Sequence, residues 1–284
     1  MNTHKPLATV PVPRVREILC RTILNRTSIS DYSLNCYTGC EHGCVYCYAR
    51  FMDRFHPHAE PWGQYVDVKV NAVDAILRQI RRCAPGSVFV SSACDAWQPL
   101  ERRYRLTRRC CEILLQYRFR VNVLTKSALV LDDLELLASG DASVGVTLTT
   151  LDESLRALWE PRAARVADRL AVLRRAAALG IETSVMFGPL LPFLSDSPAS
   201  IAALVECAAD ARVGTIWFDA LNPRPRVWPA VASLLRQHYP DLQGQYSKIL
   251  FSPHERAEYL NALRRRIENV AKRFRLVDRL FVCF

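Results

Sequence analysis

Short runs with polar and apolar residues interleaved recur along the chain, separated by longer stretches with apolar residues three or four apart. The short runs predict strands at Ser33–Cys36, Ser87–Ala93, Arg120–Thr125, Ser143–Thr149, Glu182–Phe187 and Thr215–Ala220. The longer ones predict helices. In Asn71–Cys83 the apolar stripe is Val73, Ile76, Leu77 and Ile80, and further helices are expected at Thr107–Tyr117, Leu131–Ala138, Arg165–Leu179, Pro198–Ala209 and Val227–His238. Six β-then-α units predict an α/β fold with a parallel sheet and outer helices. Six is short of the eight that close a barrel, so a partial (β/α)6 TIM-type barrel is expected.

Around this core, residues 1–30 read as a Pro-containing N-terminal arm, 31–244 as the barrel, and 245–284 as a C-terminal helix-strand extension. In the extension, Pro253–Arg273 reads as a basic helix and Leu276–Phe284 as a last strand. Several core strands end on polar residues: Asp95, Thr125–Lys126, Thr147 with Thr149, and Asp219–Asn222. The C-terminal edge of parallel strands is where functional groups converge.

Composition narrows the class. Half of the 284 residues are hydrophobic, which supplies a sizeable core. No apolar run is long enough to cross a bilayer, and the N-terminus lacks the order of a secretory signal, so a cytoplasmic protein without membrane contact is expected. In such a chain, 11 cysteines point to metal binding or catalysis rather than a disulfide framework. The formal net charge of +10 makes a polyanion a candidate partner.

The cysteines are unevenly spread. Cys36, Cys40, Cys44 and Cys47 fall within twelve residues, in NCYTGCEHGCVYCYAR. Cys40, Cys44 and Cys47 have three and then two residues between them, a spacing that lets one loop deliver several thiolates to one iron–sulfur cluster. Structural zinc usually takes two close pairs of ligands, and no second pair follows. Three thiolates leave one iron of a 4Fe–4S cube open to a small molecule. Cys36 lies outside the spacing and is expected to pack at the strand end. His42, inside the loop, is expected to face solvent.

CxxxCxxC with an aromatic, Tyr46, before the last cysteine resembles the signature of radical S-adenosylmethionine (SAM) enzymes. The wider sequence, from about Asn35 to Asn222, resembles the spore photoproduct lyase-like (DNA repair photolyase-like) group. It does so through SSACDAWQPLERRYRLTR, VLTKSALVLDDLELL, VGVTLTTLDESLRALWEPRAARVADRLAVLRRAAALGI and MFGPLLPFLSD. The resemblance implies a 4Fe–4S cluster on Cys40, Cys44 and Cys47, SAM at its open iron, an electron donor of flavodoxin or ferredoxin type, and reductive cleavage to a 5′-deoxyadenosyl radical. It places Tyr46 near the adenine, Lys126 on the SAM carboxylate and the Thr147 hydroxyl on SAM. Asp95 is a further SAM contact, or the cap of the turn that follows it.

One departure limits the transfer. The related lyase carries a hydrogen-donating cysteine three residues before the aspartate matched by Asp95, and here that residue is Ser92, left as a candidate SAM contact. Cys94, two residues on and facing the same way, is the candidate donor in its place, or a thiol that only fills space. Three functional readings stay open: a radical enzyme acting on a nucleic-acid lesion or modified nucleotide, one modifying a peptide or small metabolite, and a zinc-stabilised nucleic-acid-binding module.

Overall fold

The computed structural model describes residues 12–224 and 226–284; the first eleven residues of the expected N-terminal arm lie outside them. Its strands are β1 (Arg14–Ile18), β2 (Leu24–Arg26), β3 (Tyr32–Leu34), β4 (Tyr37–Thr38), β5 (Tyr65–Lys69), β6 (Ser87–Val90), β7 (Arg120–Thr125), β8 (Ala142–Leu148), β9 (Glu182–Leu190), β10 (Thr215–Ala220) and β11 (Leu280–Val282). Eight of them form one sheet in the order β11-β10-β9-β8-β7-β6-β3-β2. Every pairing from β3 through β11 is parallel, and only β2 runs antiparallel, along the edge of β3. The six expected strands are thus consecutive neighbours, and β11 adds to β10 with Ile216 opposite Leu280.

Alternation along these strands decides what faces the helices. Val88, Val90, Val121, Val123, Val144, Val146, Val185, Phe187, Ile216 and Phe218 are buried and form the outer, helix-covered side of the sheet. Each such side chain contributes about 1.5–3 kcal/mol on leaving water. The concave side instead carries Phe89, Asn122, Leu124, Ser143, Gly145, Thr147, Ser184, Met186 and Trp217, which is why the strands read as only partly apolar.

Two strands stop earlier than their composition suggests. Asn35 ends both, because its Oδ1 accepts hydrogen bonds from the Ser91 hydroxyl (2.5 Å) and the Ala93 amide (2.9 Å), replacing ladder bonds between β3 and β6. The chain is thereby released into loops at both strand ends. The expected helix Leu131–Ala138 is a 3₁₀ turn over Ala128–Asp133 followed by a short α-helix, Leu134–Ala138.

A second sheet, in the order β1-β5-β4, was not foreseen. Its β1–β5 pairing joins residues far apart in sequence, with Arg14 opposite Tyr65, and β1 is exposed enough that no alternation marks it. Helices Glu153–Trp159 and Gln243–Phe251 were also not foreseen. The helix Pro253–Phe274 buries Tyr259, Leu263, Ile267, Val270 and Ala271 and packs on the helix Pro198–Asp210.

Candidate functional site

The cysteine loop is built between the two sheets. Leaving β3, the chain pairs Tyr37 and Thr38 with Val68 and Asp67 of β5. Gly39 then takes φ +86°, a region that favours glycine, and a Cβ there would lie 2.5 Å from the Tyr65 carbonyl oxygen. The loop continues through two tight turns, with the Gly43 amide donating to the Cys40 carbonyl (3.3 Å) and the Cys47 amide to the Cys44 carbonyl (3.2 Å).

Neighbouring segments pin this loop from two sides. On one, the Glu41 amide donates to Gln98 Oε1 (2.8 Å), while the Glu41 carboxylate accepts from the Leu100 amide (2.6 Å). On the other, the Val45 amide donates to the Trp159 carbonyl (2.9 Å) and the Arg162 amide to the His42 carbonyl (3.3 Å). The Arg162 guanidinium also reaches the Gly63 carbonyl.

Cys40, Cys44 and Cys47 line one cavity of about 140 Å³ at the C-terminal ends of β6, β7 and β8. Its other walls include Cys94, Ser92, Asp95, Lys126 and Thr147, so eight of the nine residues singled out from the sequence come together there. Tyr46 is the ninth, and it is not among the lining residues. Its ring is stacked on Trp159 at 6.4 Å, and its hydroxyl donates to buried Glu160. Trp62, Ala49, Phe89 and Leu124 supply apolar walls.

Asp95 is a knot rather than a free carboxylate. It accepts from the Thr125 hydroxyl (2.6 Å), the Lys126 amide (2.7 Å) and the Trp97 amide (3.0 Å), the last being the expected turn cap. His42 Nδ1 lies 3.4 Å from it. A solvent-facing His42 is therefore incorrect: it is 3% exposed and lines the cavity, because the loop folds inward over Asp95. Burial pushes its imidazole below the usual range.

Ser92 Oγ accepts from Asn35 Nδ2 at 3.1 Å, and Tyr48 donates its hydroxyl to the Ser92 carbonyl. Cys94 Sγ sits 3.1 Å from Ser91 Oγ. Burial raises its thiol to about 12, so it stands as a neutral S–H. Cys36 is buried at the strand end, 3.9 Å from the sulfur of Cys110.

Sequence reasoning missed Glu160 and Arg169. Both are fully buried and ion-paired, and Glu160 also accepts from Thr149 Oγ1 at 3.0 Å. Burial alone would raise Glu160, but Arg169 and Lys126 outweigh it and hold the carboxyl below its ordinary value. The signal was a Glu-Pro followed by a helix start, without periodicity to show that the chain doubles back.

The donor set suits an iron–sulfur cluster. All three thiols are free and share one cavity. Burial pushes Cys40, Cys44 and Cys47 upward, while Lys126 works against that rise at Cys44 and Cys47. Iron binding requires the thiolates, and Lys126, Arg50, Arg162 and Arg169 are nearby cations that offset their charge. Among the described residues, no three His, Cys, Asp or Glu side chains close around a single ion.

The main sheet is parallel apart from β2, and three free thiols share a cavity at its C-terminal edge, the donor set of an iron–sulfur site on a partial barrel. Residues 34–205 match the model of the Radical SAM superfamily, more than half of the 284 residues, and the chain belongs to that superfamily. It is a radical SAM enzyme, with a 4Fe–4S cluster and SAM as its cofactors.

An uncharacterized protein of Methanocaldococcus jannaschii is 32% identical over 183 residues, covering 63% of this chain and 69% of that protein. One from Mycobacterium tuberculosis is 30% identical over 278 residues, covering 92% and 81%. A variant of spore photoproduct lyase with bound AdoMet and dinucleoside spore photoproduct shares the fold, with TM-score 0.66, 16% identity, and coverage of 95% of this chain and 82% of that one.

Proposed function

We propose that this enzyme reductively cleaves SAM and turns the resulting radical on a nucleic-acid lesion or modified nucleotide. The observation that carries the radical chemistry is the convergence of Cys40, Cys44 and Cys47 with Lys126, Thr147 and Asp95 on one cavity. When bound, the cluster supplies the electron that splits the sulfonium of SAM into methionine and a 5′-deoxyadenosyl radical, and an external donor of flavodoxin or ferredoxin type replenishes it.

The chain's own residues orient and shield. The three cysteines hold the cluster. Lys126 lies 5.7 Å from the Tyr46 ring centre and, among the described residues, forms no ion pair, leaving its ammonium for the carboxylate of SAM. Thr147 offers a hydroxyl, and Asp95 fixes the Lys126 backbone. Trp62, Phe89 and Leu124 keep water from the radical. Cys94, a neutral S–H on the cavity wall, is the hydrogen-atom donor that Ser92 cannot be.

Two observations support nucleic acid as the substrate class: the net charge of +10, and a shared fold with a lyase whose structure holds a dinucleoside photoproduct. Anaerobically reconstituted protein given SAM and dithionite is expected to release 5′-deoxyadenosine, and none from wild-type protein with a full cluster would refute the proposal. Cys40→Ala, Cys44→Ala and Cys47→Ala should each lose the cluster's visible absorption.

A further inference from the structure

A second and larger cavity, of about 550 Å³, lies on the concave side of the main sheet. Barrels of parallel strands ordinarily fill this space with layers of bulky branched side chains. Here five inward positions are small or polar, Asn122 on β7, Ser143 and Gly145 on β8, Ser184 on β9 and Thr215 on β10, beside the bulkier Phe89, Leu124, Met186 and Trp217. Gly145 leaves room for the Ser184 hydroxyl, since a Cβ there would crowd Ser184 Oγ and displace it. The interior is therefore hollow. Phe89 and Leu124 line both this cavity and the one that holds the cysteines, so the two spaces share a wall.

One flank of the hollow is aromatic. Trp217 projects into it from β10, 37% exposed, and stacks on Phe281 of β11 at 4.7 Å. The opposite lip is Ile29, 60% exposed. The floor, towards the N-terminal ends of the strands, is polar, and there Arg120 pairs with the exposed Glu182 and Asp141. Asn122 Oδ1 accepts from Arg120 Nε (3.2 Å) and Ser143 Oγ (2.9 Å). That orientation leaves its Nδ2 donor without an acceptor among the described residues. The hydroxyls of Ser184 and Thr215 stand on neighbouring strands facing the same space.

We infer that this hollow receives one nucleobase of the substrate, its face stacked on Trp217 and its polar edge read by Asn122, Ser184 and Thr215. A flat ring with hydrogen-bonding atoms only at its rim matches an aromatic wall over a polar floor. Enzymes that act on a base draw it out of its stack into such a pocket, and the volume lies in the range of small-molecule sites. The shared wall at Phe89 and Leu124 puts the base next to the cavity where the radical forms. This inference rests on the nucleic-acid reading above and adds to it where the base sits and what holds it.

The test uses the reconstituted holoenzyme and a single-stranded twelve-nucleotide oligothymidylate. Binding is followed by fluorescence anisotropy over a salt series and by quenching of intrinsic tryptophan emission. The parent should bind with an affinity that falls as salt rises, with quenching on binding. Trp217→Phe should keep the affinity within about threefold and lose most of the quench, although four other tryptophans remain. Trp217→Ala should weaken binding about tenfold with an unchanged salt slope, because stacking is lost and phosphate contacts are not. Ser184→Leu, which plugs the hollow, should weaken binding similarly while cluster absorption and melting temperature hold. Salt-dependent binding that is indifferent to Trp217→Ala and Ser184→Leu would overturn the nucleobase pocket and leave the nucleic-acid reading standing. No binding by the parent even at low salt would overturn both.

Discussion

At the scale of single residues, the site depends on which polar groups are already committed and which are free. Asp95 is committed four ways, whereas the Lys126 ammonium is not. Lys126→Met should therefore raise the dissociation constant for SAM about 10- to 100-fold, the worth of one charge-assisted hydrogen bond, while the cluster spectrum stays unchanged; equilibrium binding under anaerobic conditions measures it. Cys94→Ala should leave 5′-deoxyadenosine formation intact and reduce the yield of finished product, read by comparing the two yields. Glu160→Gln strands Arg169 as a buried unpaired charge and should cost about 3–5 kcal/mol, seen as a fall in melting temperature. The carboxyl of Glu160 is held below its ordinary 4.5, so the stability it supplies is complete above that pH and is lost as pH falls through the lower folded value. The cysteines and Lys126 could be read from the sequence because motif and strand end coincide there. Glu160 and Arg169 could not, since their roles come from a pairing across the start of a helix.

Individual elements show the same division. The six strands of the main sheet were legible because one face of each is apolar. Their lengths were not, because a side chain outside the pattern, Asn35, ends two of them. The cysteine loop needs its glycine: Gly39→Ala would force a Cβ against the Tyr65 carbonyl at 2.5 Å. Reduced iron content after reconstitution with near-native circular dichroism is the expected outcome. The helix Glu153–Trp159, whose last residue's carbonyl holds the Val45 amide, is capped by Asp152 through the Ser154 and Leu155 amides. Asp152→Ala should cost about 1 kcal/mol, measured by chemical denaturation.

For the molecule as a whole, cluster binding and folding stability are linked, because the thiolates are gathered only in the folded chain. Reconstituted protein should melt several degrees above the iron-free form, the difference disappearing in Cys44→Ala. No helix among the described residues is long and apolar enough to span a membrane. What the sequence determined by itself was the class of chemistry and the order of strands. Thiolate spacing is local, and hydrophobic alternation follows from the pitch of a strand, so both are written in consecutive residues. Only the tertiary structure decided that the Tyr46 hydroxyl is held by Glu160, that His42 turns in over Asp95, and that the concave side of the sheet is hollow. Each depends on side chains that are distant in sequence competing for one volume or one hydrogen-bond partner, and no run of neighbouring residues records the result.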